Sequence, residues 1–291
     1  MSRLRADLLL LLIAAFWGFS YLFTNDCLTE IGPLYLNAYR FIVAFTLALI
    51  FSYKRVRNIN AATLKYAFIV GLILFSVYTF YNFGVKNTSL SNAGFLCGLP
   101  VVITPILGTL FFKSKPEKKI IPVVIIVTIG IGLLTLEDTF VPAFGDILCI
   151  LTSAAYAIHM LVIEKAVKNP DVDAFLLGVF QLGFGGAIMY VTALALEKPT
   201  FPQTPRVWLS FIFLAALCSG AAFIIQSIAQ KYTEASRAGV IFSLEPIFAG
   251  IIAFVFAGEI LTGRAYFGAA LMIVGIFAME LNIKKLLQKA R

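Results

Sequence analysis

The chain has 291 residues, of which 60% are hydrophobic and only 13% are charged, with a mean hydropathy of +0.94 and a formal net charge of +8. This composition excludes a soluble globular domain and indicates an integral membrane protein. The basic excess could still indicate a nucleic-acid or acidic partner, so the positions of the 23 Lys and Arg residues have to be considered.

Ten apolar segments run through the chain, each of about 20 residues, the length that a helix needs to cross the hydrocarbon core of a bilayer. They cover residues 7–25, 33–53, 66–85, 89–112, 119–136, 144–163, 172–196, 207–229, 236–257 and 264–283. The first follows Arg3 and Arg5, as a secretory signal would, but nine more follow it, so we predict a retained helix. The expected fold is an all-α integral membrane protein with ten transmembrane helices.

The Lys and Arg residues gather on one side of the predicted membrane. With a cytoplasmic N-terminus, eighteen of them fall in inner segments, four (Lys86, Lys198, Arg206 and Arg264) fall in outer segments, and Arg40 lies within a span. Because cytoplasmic loops carry an excess of Lys and Arg, both termini are predicted to be cytoplasmic. The net positive charge is then explained by the orientation of the protein in the membrane, and no nucleic-acid partner is expected.

Enzyme motifs are absent from the sequence. There is a single histidine, His159, and there is no HExxH, no GxSxG and no pair of intramembrane aspartates. The four cysteines form no CxxC pair and are predicted to be free thiols. We therefore expect no enzymatic activity, no metal site and no bound cofactor.

Two stretches of the chain resemble each other. "KNTSLSNAGFLCGL" (86–99) and "KYTEASRAGVIFSL" (231–244) agree at six of fourteen positions, and the same offset of 145 places Gly130 on Gly275. Five predicted spans separate the partners, and an odd number of spans turns the second copy upside down in the membrane. The sequence therefore predicts two inverted five-helix repeats, residues 1–140 and 141–291.

Three stretches, taken together, resemble the EamA family of the drug/metabolite transporter superfamily. They are "AAFWGFSYLF" in the first span, "TEASRAGVIFSLEPIFAGIIAFVFAGE" at 233–259, and the Gly-rich "FGAALMIVGIF" in the last span. This resemblance implies ten helices, a central cavity between the two halves, and alternating-access transport of small organic solutes. Members often export amino acids, other metabolites or toxic compounds, so export is the expected direction.

Several polar and aromatic side chains lie deep in the predicted spans at helical spacing. Aromatic residues near span ends usually belong to interfacial belts, but Trp17 and Tyr78 lie deeper, where an indole or phenol needs a partner that lipid cannot supply. The residues expected to line the cavity and contact the solute are Trp17, Tyr21, Tyr78, Asn82 and Tyr156. For Asn82, as for Gln181 and Gln226, the alternative is hydrogen bonding between helices.

Ionisable groups within spans are the stronger signal, because each costs a few kcal/mol in hydrocarbon unless it faces a cavity or a partner. Glu245 lies about two turns from the cytoplasmic edge and is predicted to bind an amine or a proton; the alternative is a structural acid. His159 is predicted to contact solute or protons, with a structural role as the alternative. Arg40 is predicted to form an ion pair or to contact an anion.

Prolines mark the predicted gates. Pro100 and Pro105 in the fourth span and Pro246 in the ninth each remove a backbone hydrogen bond, which loosens the helix locally. The repeat places these two spans in equivalent positions. We predict that they bend to open the cavity alternately toward each side of the membrane.

The sequence thus predicts a multi-pass transporter of the plasma membrane, the cytoplasmic membrane of a prokaryote, which moves an amino acid, metabolite or related solute by alternating access. A passive channel, or an uptake carrier for a small neutral or zwitterionic solute, is the alternative. An aromatic cavity with few charges suits a zwitterion or amphipathic solute better than a phosphate, which would need several converging cations. Proton coupling and oligomeric state stay open.

Overall fold

The computed structural model of the chain describes residues 1–88, 90–112, 116, 118, 120–135, 143–252, 254–255 and 262–280. The secondary structure of this described part is helical, and it contains no β-strand. The helices are α1 (Arg3–Leu28), α2 (Pro33–Val56), α3 (Ala61–Lys86), α4 (Leu90–Cys97), α5 (Pro100–Phe111), α6 (Ile120–Thr135), α7 (Phe144–Val167), α8 (Ala174–Leu196), α9 (Pro205–Phe213), α10 (Ala222–Ala229), α11 (Ala235–Phe242), α12 (Glu245–Ile252) and α13 (Gly263–Glu280). A π-helical segment, Leu214–Ala221, joins α9 to α10.

Seven helical stretches of the described residues are long and apolar enough to cross a membrane. They match the first three predicted spans and the sixth to ninth. The fourth, fifth and tenth predicted spans correspond to the shorter apolar stretches Phe95–Phe111, Ile120–Leu134 and Gly263–Ala278. The all-helical membrane fold is confirmed, while the count of ten helices stays a prediction.

Polar side chains fix where several helices begin. Ser2, Asn60, Asp173 and Thr204 each accept a hydrogen bond from a backbone N–H in the first turn of α1, α3, α8 and α9 respectively. The first N–H groups of a helix have no partner within the helix, so these caps define the helix starts. Pro33 begins α2, where its missing N–H removes no helical bond.

The helices pack as one bundle. Helix α2 lies against α8, α3 lies against α7 and α8, and α1 packs against α9 to α12, while α6 and α13 pair with each other. A Cβ atom at Gly268 would lie 2.6 Å from the carbonyl oxygen of Gly130, so only glycine allows α6 and α13 to approach this closely. In lipid, such close backbone packing substitutes for the hydrophobic force that holds soluble helices together.

The bundle has two ends, which we name after their loops. The first-loop end holds residues 29–32 between α1 and α2, and the second-loop end holds residues 57–60 between α2 and α3. At the first-loop end, Arg206 donates two hydrogen bonds to Asp26, at 2.7 and 3.1 Å, and Glu197 accepts from the backbone N–H of Leu34. The end of α1 is therefore tied to the start of α9, and the start of α2 is tied to Glu197, which directly follows α8.

A second set of contacts, which we call the clamp, lies at the second-loop end. Arg55 donates two hydrogen bonds to Asp173, at 2.8 and 2.9 Å, and the Asn60 amide donates to the backbone oxygen of Asp171. Helices α2 and α8 are thus tied down at both ends.

The clamp also changes the acidity of Asp173. Partial burial would raise the pKa of this carboxyl, but the hydrogen bonds from Arg55 and from the backbone N–H groups of Leu176 and Phe175 outweigh burial. The pKa of Asp173 therefore lies below its ordinary value, because these bonds favour the ionised form.

Candidate functional site

A cavity of about 560 Å³ lies in the middle of the bundle. Residues from α1 to α5, α7 and α10 to α12 form its wall, so both predicted repeats contribute to it. This is the position that the predicted two-repeat architecture assigns to a central cavity. The volume lies in the range of about 300–1,000 Å³ that is typical of sites for small organic ligands.

Most of the predicted solute-contacting residues line this cavity. Trp17, Tyr78, Asn82, Tyr156 and Glu245 all contribute to its wall. Depth within a span and helical spacing were sufficient to select these five residues.

Two other predicted residues are placed differently. Tyr21 lies on α1, but its side chain is outside the described part of the chain. His159 is fully buried and does not line the cavity; its Nε2 lies 2.9 Å from Oε1 of Gln181. Gln181 in turn donates to Ser227 Oγ at 3.1 Å, which links α7, α8 and α10. This is hydrogen bonding between helices, and it does not bring His159 into contact with a solute in the cavity.

Aromatic rings form much of the cavity wall. The ring centroid of Trp17 lies 4.9 Å from that of Phe242, 5.8 Å from that of Phe223 and 5.9 Å from that of Tyr156. Tyr78 packs edge-on against Phe223 at 6.4 Å. Such rings offer faces and edges to an apolar or aromatic group of a bound molecule.

The π-helical segment supplies polar anchors for two helices. Trp17 of α1 donates from Nε1 to the backbone oxygen of Cys218 at 3.0 Å, and Arg40 of α2 donates from Nε to Ser219 Oγ at 2.7 Å. Short π-helical insertions are frequently found at functional sites. Here the insertion lies beside the cavity and holds two of its side chains in place.

Arg40 lines the cavity and is 4% exposed. Its guanidinium carbon lies 5.7 Å from the ring centroid of Tyr78 and 5.9 Å from that of Phe41. In the described part of the chain, no carboxylate lies within ion-pairing distance of Arg40. Of the two roles predicted for Arg40, the anion contact therefore fits the geometry better than an ion pair.

Two predicted spans are broken where they reach the cavity. Helix α4 ends at Cys97 and α5 begins at Pro100, and in the same way α11 ends at Phe242 and α12 begins at Glu245. The two starts, 90 and 235, and the two ends, 97 and 242, are each 145 positions apart. The break thus falls at the same point of both sequence repeats.

The three prolines predicted as gates differ in their place in the helix and in whether they line the cavity. Pro100 is the first residue of α5 and Pro246 is the second residue of α12, and both line the cavity. Pro105 lies inside α5 and is not part of the cavity wall. Pro100 and Pro246 mark helix starts after a break rather than bends within a continuous helix.

Glu245 is the first residue of α12. A carboxylate in the first turn of a helix is stabilised by the positive end of the helix dipole. This location explains how the chain keeps an acidic side chain halfway through a predicted span, and the carboxylate lines the cavity.

The cavity opens at the first-loop end. Leu28, the last residue of α1, is 43% exposed and lines the cavity, as does the exposed Pro33 at the start of α2. Asn82 of α3 donates to the backbone oxygen of Pro33 at 3.4 Å near this mouth.

The second-loop end is closed by a buried ion pair. Arg237 of α11 donates from Nε to Oδ2 of Asp7 on α1 at 2.9 Å, and its Nη2 lies 2.9 Å from the same oxygen. Asp7 is 5% exposed and Arg237 is 3% exposed. Neither residue lines the cavity, and each lies closer to the second-loop end than the wall residues of its own helix, Trp17 on α1 and Gly239 on α11.

A second contact holds α11 at the same end. Glu164 of α7, which is buried, accepts a hydrogen bond from the backbone N–H of Ala235 at 2.7 Å and also pairs with Lys168. Next to it, Gln230 donates to the backbone oxygen of Met160 at 3.0 Å. The start of α11 is thus bound to α1 by its arginine and to α7 by its first backbone N–H.

Sequence reasoning missed Asp7, Glu164, Arg237 and Ser219. Arg237 lies inside the predicted ninth span, and that position within a span was a usable signal, although Arg237 was interpreted as a cytoplasmic charge. Asp7 begins the predicted first span, and Ser219 lies in the middle of the eighth. Neither carries a pattern that identifies its partner.

The described residues include no group of three His, Cys, Asp or Glu side chains that could hold a metal ion. The cysteines are free thiols in the structure, as predicted.

Comparison with known proteins identifies a family for the chain. The model of the EamA-like transporter family matches twice, over residues 4–136 and over residues 143–281.

Curated relatives cover nearly the whole chain. An uncharacterized transporter of Archaeoglobus fulgidus is 29% identical over 286 residues, which cover 97% of this chain and 88% of the relative. The uncharacterized transporter YyaM of Bacillus subtilis is 24% identical over 290 residues, covering 95% of this chain and 93% of the relative. A solved crystal structure superposes with a TM-score of 0.81 at 18% identity, covering 98% of this chain and 99% of its own, and this likeness supports the fold alone.

Proposed function

Because this chain belongs to the EamA-like transporter family, we propose that it carries a small organic solute out of the cell by alternating access. The family lies within the drug/metabolite transporter superfamily. The chain is a multi-pass protein of the plasma membrane, and its relatives come from bacteria and archaea.

The observation that carries the proposal is that the exposed residues of the described cavity wall, Leu28 and Pro33, both lie at the first-loop end. Leu28 is exposed at the mouth, whereas Asp7 and Arg237 are buried at the opposite end. A channel provides a continuous path, but a carrier exposes its site to one side at a time. A site between two repeats with one closed end is the arrangement expected of a carrier.

The broken helices support two inverted repeats of five helices each, 1–140 and 141–291. Helices α4 and α11 begin and end at positions that correspond under the repeat offset. If α4–α5, α9–α10 with the π-helical segment between them, and α11–α12 each count as one span, the helices of the described residues account for ten crossings. In such transporters, half-helices at the repeat interface carry the binding groups, and Glu245 at the start of α12 holds that position.

The distribution of Lys and Arg supports a cytoplasmic location for the second-loop end. In this topology both termini are cytoplasmic, and the structure is an outward-facing state whose cytoplasmic end is closed by Asp7 and Arg237. In a variant without native cysteines, an impermeant thiol reagent should label a cysteine at Thr29 in intact cells and leave one at Asn58 unlabelled. The reverse labelling pattern would contradict this topology.

In this proposal Trp17, Tyr78 and Tyr156 hold the apolar part of the solute, while Asn82 and Glu245 bind its polar groups. Glu245 accepts an amine from the solute or a proton. The breaks before Pro100 and Pro246 are the hinges at which α4–α5 and α11–α12 bend. His159 and Pro105 lie outside the cavity wall and are not assigned roles in it.

Counterflow in proteoliposomes tests this function. Labelled amino acids and hydrophobic metabolites are offered outside vesicles that are loaded with the unlabelled solute. A carrier gives saturable uptake that internal solute accelerates. Uptake that rises linearly with concentration, together with single-channel currents in a planar bilayer, would support the channel instead.

A further inference from the structure

We propose that Arg40 is the anion-binding group of the cavity, that the transported solute therefore carries a carboxylate, and that Ser219 positions Arg40 to bind it. This inference rests on the proposed transport function and names the chemical class of its solute.

The starting observation is a buried cation without an anion. Arg40 is 4% exposed, and its one hydrogen bond to a described residue is the bond from Nε to Ser219 Oγ at 2.7 Å. The two terminal nitrogens have no hydrogen-bond acceptor among the described residues. A buried charge without a partner costs several kcal/mol, so the site is complete only when an anion enters the cavity.

The geometry of the guanidinium group selects how that anion binds. With Nε occupied by Ser219, the two terminal nitrogens can donate a parallel pair of hydrogen bonds end-on to one acceptor group. A carboxylate matches this fork with its two oxygens. Lysine in the same position would offer only a point charge.

Ser219 fixes the direction of the fork. It lies in the π-helical segment Leu214–Ala221, which is also held to α1 through the bond from Trp17 to the backbone oxygen of Cys218. Arg40 is further confined between the rings of Phe41 and Tyr78. Without the Ser219 hydroxyl, the guanidinium could rotate and its terminal nitrogens would no longer point reliably into the cavity.

The charges of the cavity favour a carboxylate over a phosphate. Arg40 is the single Lys or Arg among the described residues of the wall, and Glu245 contributes an acidic group to the same wall. A phosphate ester with close to two negative charges would call for several converging cations. One arginine matches one carboxylate, while the aromatic wall accepts an apolar remainder.

The proposal is tested by equilibrium binding to the purified full-length protein, with the acids L-leucine and L-phenylalanine and their carboxamides as probes. Each carboxamide keeps the size of its acid but lacks the negative charge. A ligand that binds only the folded state raises the melting temperature, and titration of that rise gives a Kd. We expect the acids to bind at least about tenfold more tightly than their carboxamides, as for a hydrogen-bonded charge.

Variants of Arg40 and Ser219 test whether these two residues cause the preference for the acid over the carboxamide. Arg40→Gln should abolish the preference for the acid. Ser219→Ala should raise the Kd of the acid about tenfold and leave that of the carboxamide unchanged, whereas the control Ser219→Thr keeps the hydroxyl and should bind like the parent. The melting temperature of Arg40→Gln without ligand should equal or exceed that of the parent, because the substitution removes an unpaired buried cation.

Several results would overturn the proposal. Equal binding of acid and carboxamide by the parent, or binding of neither, contradicts the carboxylate. A preference that survives in Arg40→Gln contradicts the role of Arg40, and equal weakening of both ligands in Ser219→Ala leaves Ser219 with a structural role only. If amines or sugars show counterflow while carboxylates do not bind, the transport function stands and this inference fails.

Discussion

Arg237 and Asp7 form a buried ion pair although 230 positions separate them in the sequence. Their nitrogen–oxygen distances are both 2.9 Å, and the pair joins α11 to α1 at the end of the bundle where the cavity is closed. The second oxygen of Asp7, Oδ1, is buried without a hydrogen-bond partner. A buried pair that is incompletely satisfied is poorly suited to stabilise the fold and better suited to a contact that forms and breaks.

Substituting the two charged residues, singly and then swapped with each other, tests whether this pair forms the closed gate. Arg237→Gln leaves the buried Asp7 carboxylate without its charged partner, and Asp7→Asn takes the Asp7 charge away from Arg237. Breaking a buried ion pair in this way costs about 3–5 kcal/mol. Each variant should lower solute exchange in proteoliposomes, and the double exchange Asp7→Arg with Arg237→Asp should recover much of it. The control is the exposed pair of Asp26 and Arg206 at the open end, where Arg206→Gln should cost less than about 1 kcal/mol. A double exchange that transports no better than the single variants argues against the gate.

The carboxylate of Glu245 is expected to take part in transport. Glu245→Gln keeps the size and much of the hydrogen bonding but removes the charge and the titration. The variant should insert and melt like the parent yet lose transport or its pH dependence, measured from roughly pH 5.5 to roughly pH 8, the range around neutral pH in which a group that exchanges protons during transport has to work. Transport that matches the parent across this window would show that the charge is not part of the mechanism.

The break before α12 is expected to act as a hinge. Pro246→Ala restores one backbone donor, so a bond of about 1 kcal/mol has to break in each cycle and exchange should slow about fivefold. Solute affinity should change little. Pro205→Ala is the matched control, because Pro205 also lies in the first turn of its helix but away from the cavity. Equal exchange rates in the two variants would count against the hinge.

The clamp at Asp173 gives a pH dependence of stability. The pKa of this carboxyl is lowered in the folded state, so its contribution is complete above its unfolded pKa of about 3.9 and is lost as the pH falls through the lower folded value. Between about pH 5 and pH 3 the melting temperature of the parent should fall more steeply than that of Asp173→Asn. Asp171→Asn, at an exposed position of the same loop, should follow the parent. Parallel curves for the parent and Asp173→Asn would refute the coupling.

Much of the cavity could be predicted from the sequence because helical spans have a known rise and period. Depth and face together selected Trp17, Tyr78, Asn82, Tyr156 and Glu245, which all line it. His159, selected by the same reasoning, does not line the cavity, because a polar side chain on a helix face can point to a neighbouring helix as well as to a cavity. In the structure its partner is Gln181.

The sequence alone could not identify pairs of residues that come into contact only through the packing of distant helices. Ser219 meets Arg40 across 179 positions, and Glu164 meets the backbone of Ala235 across 71. No spacing rule connects such residues, since their contact depends on how distant helices cross. The prolines indicated a local weakness, but the break at the same point of both repeats became visible only in the helix bounds of α4 and α11.

Locking the closed end tests alternating access most directly. In a variant without native cysteines, Asp7→Cys and Arg237→Cys are joined by a short reducible cross-linker, and solute exchange is measured in proteoliposomes before cross-linking, after it, and after reduction. A carrier held in the outward-facing state should stop exchanging, still bind solute, and recover on reduction. Exchange that continues at the original rate while the cross-link is complete would contradict the account.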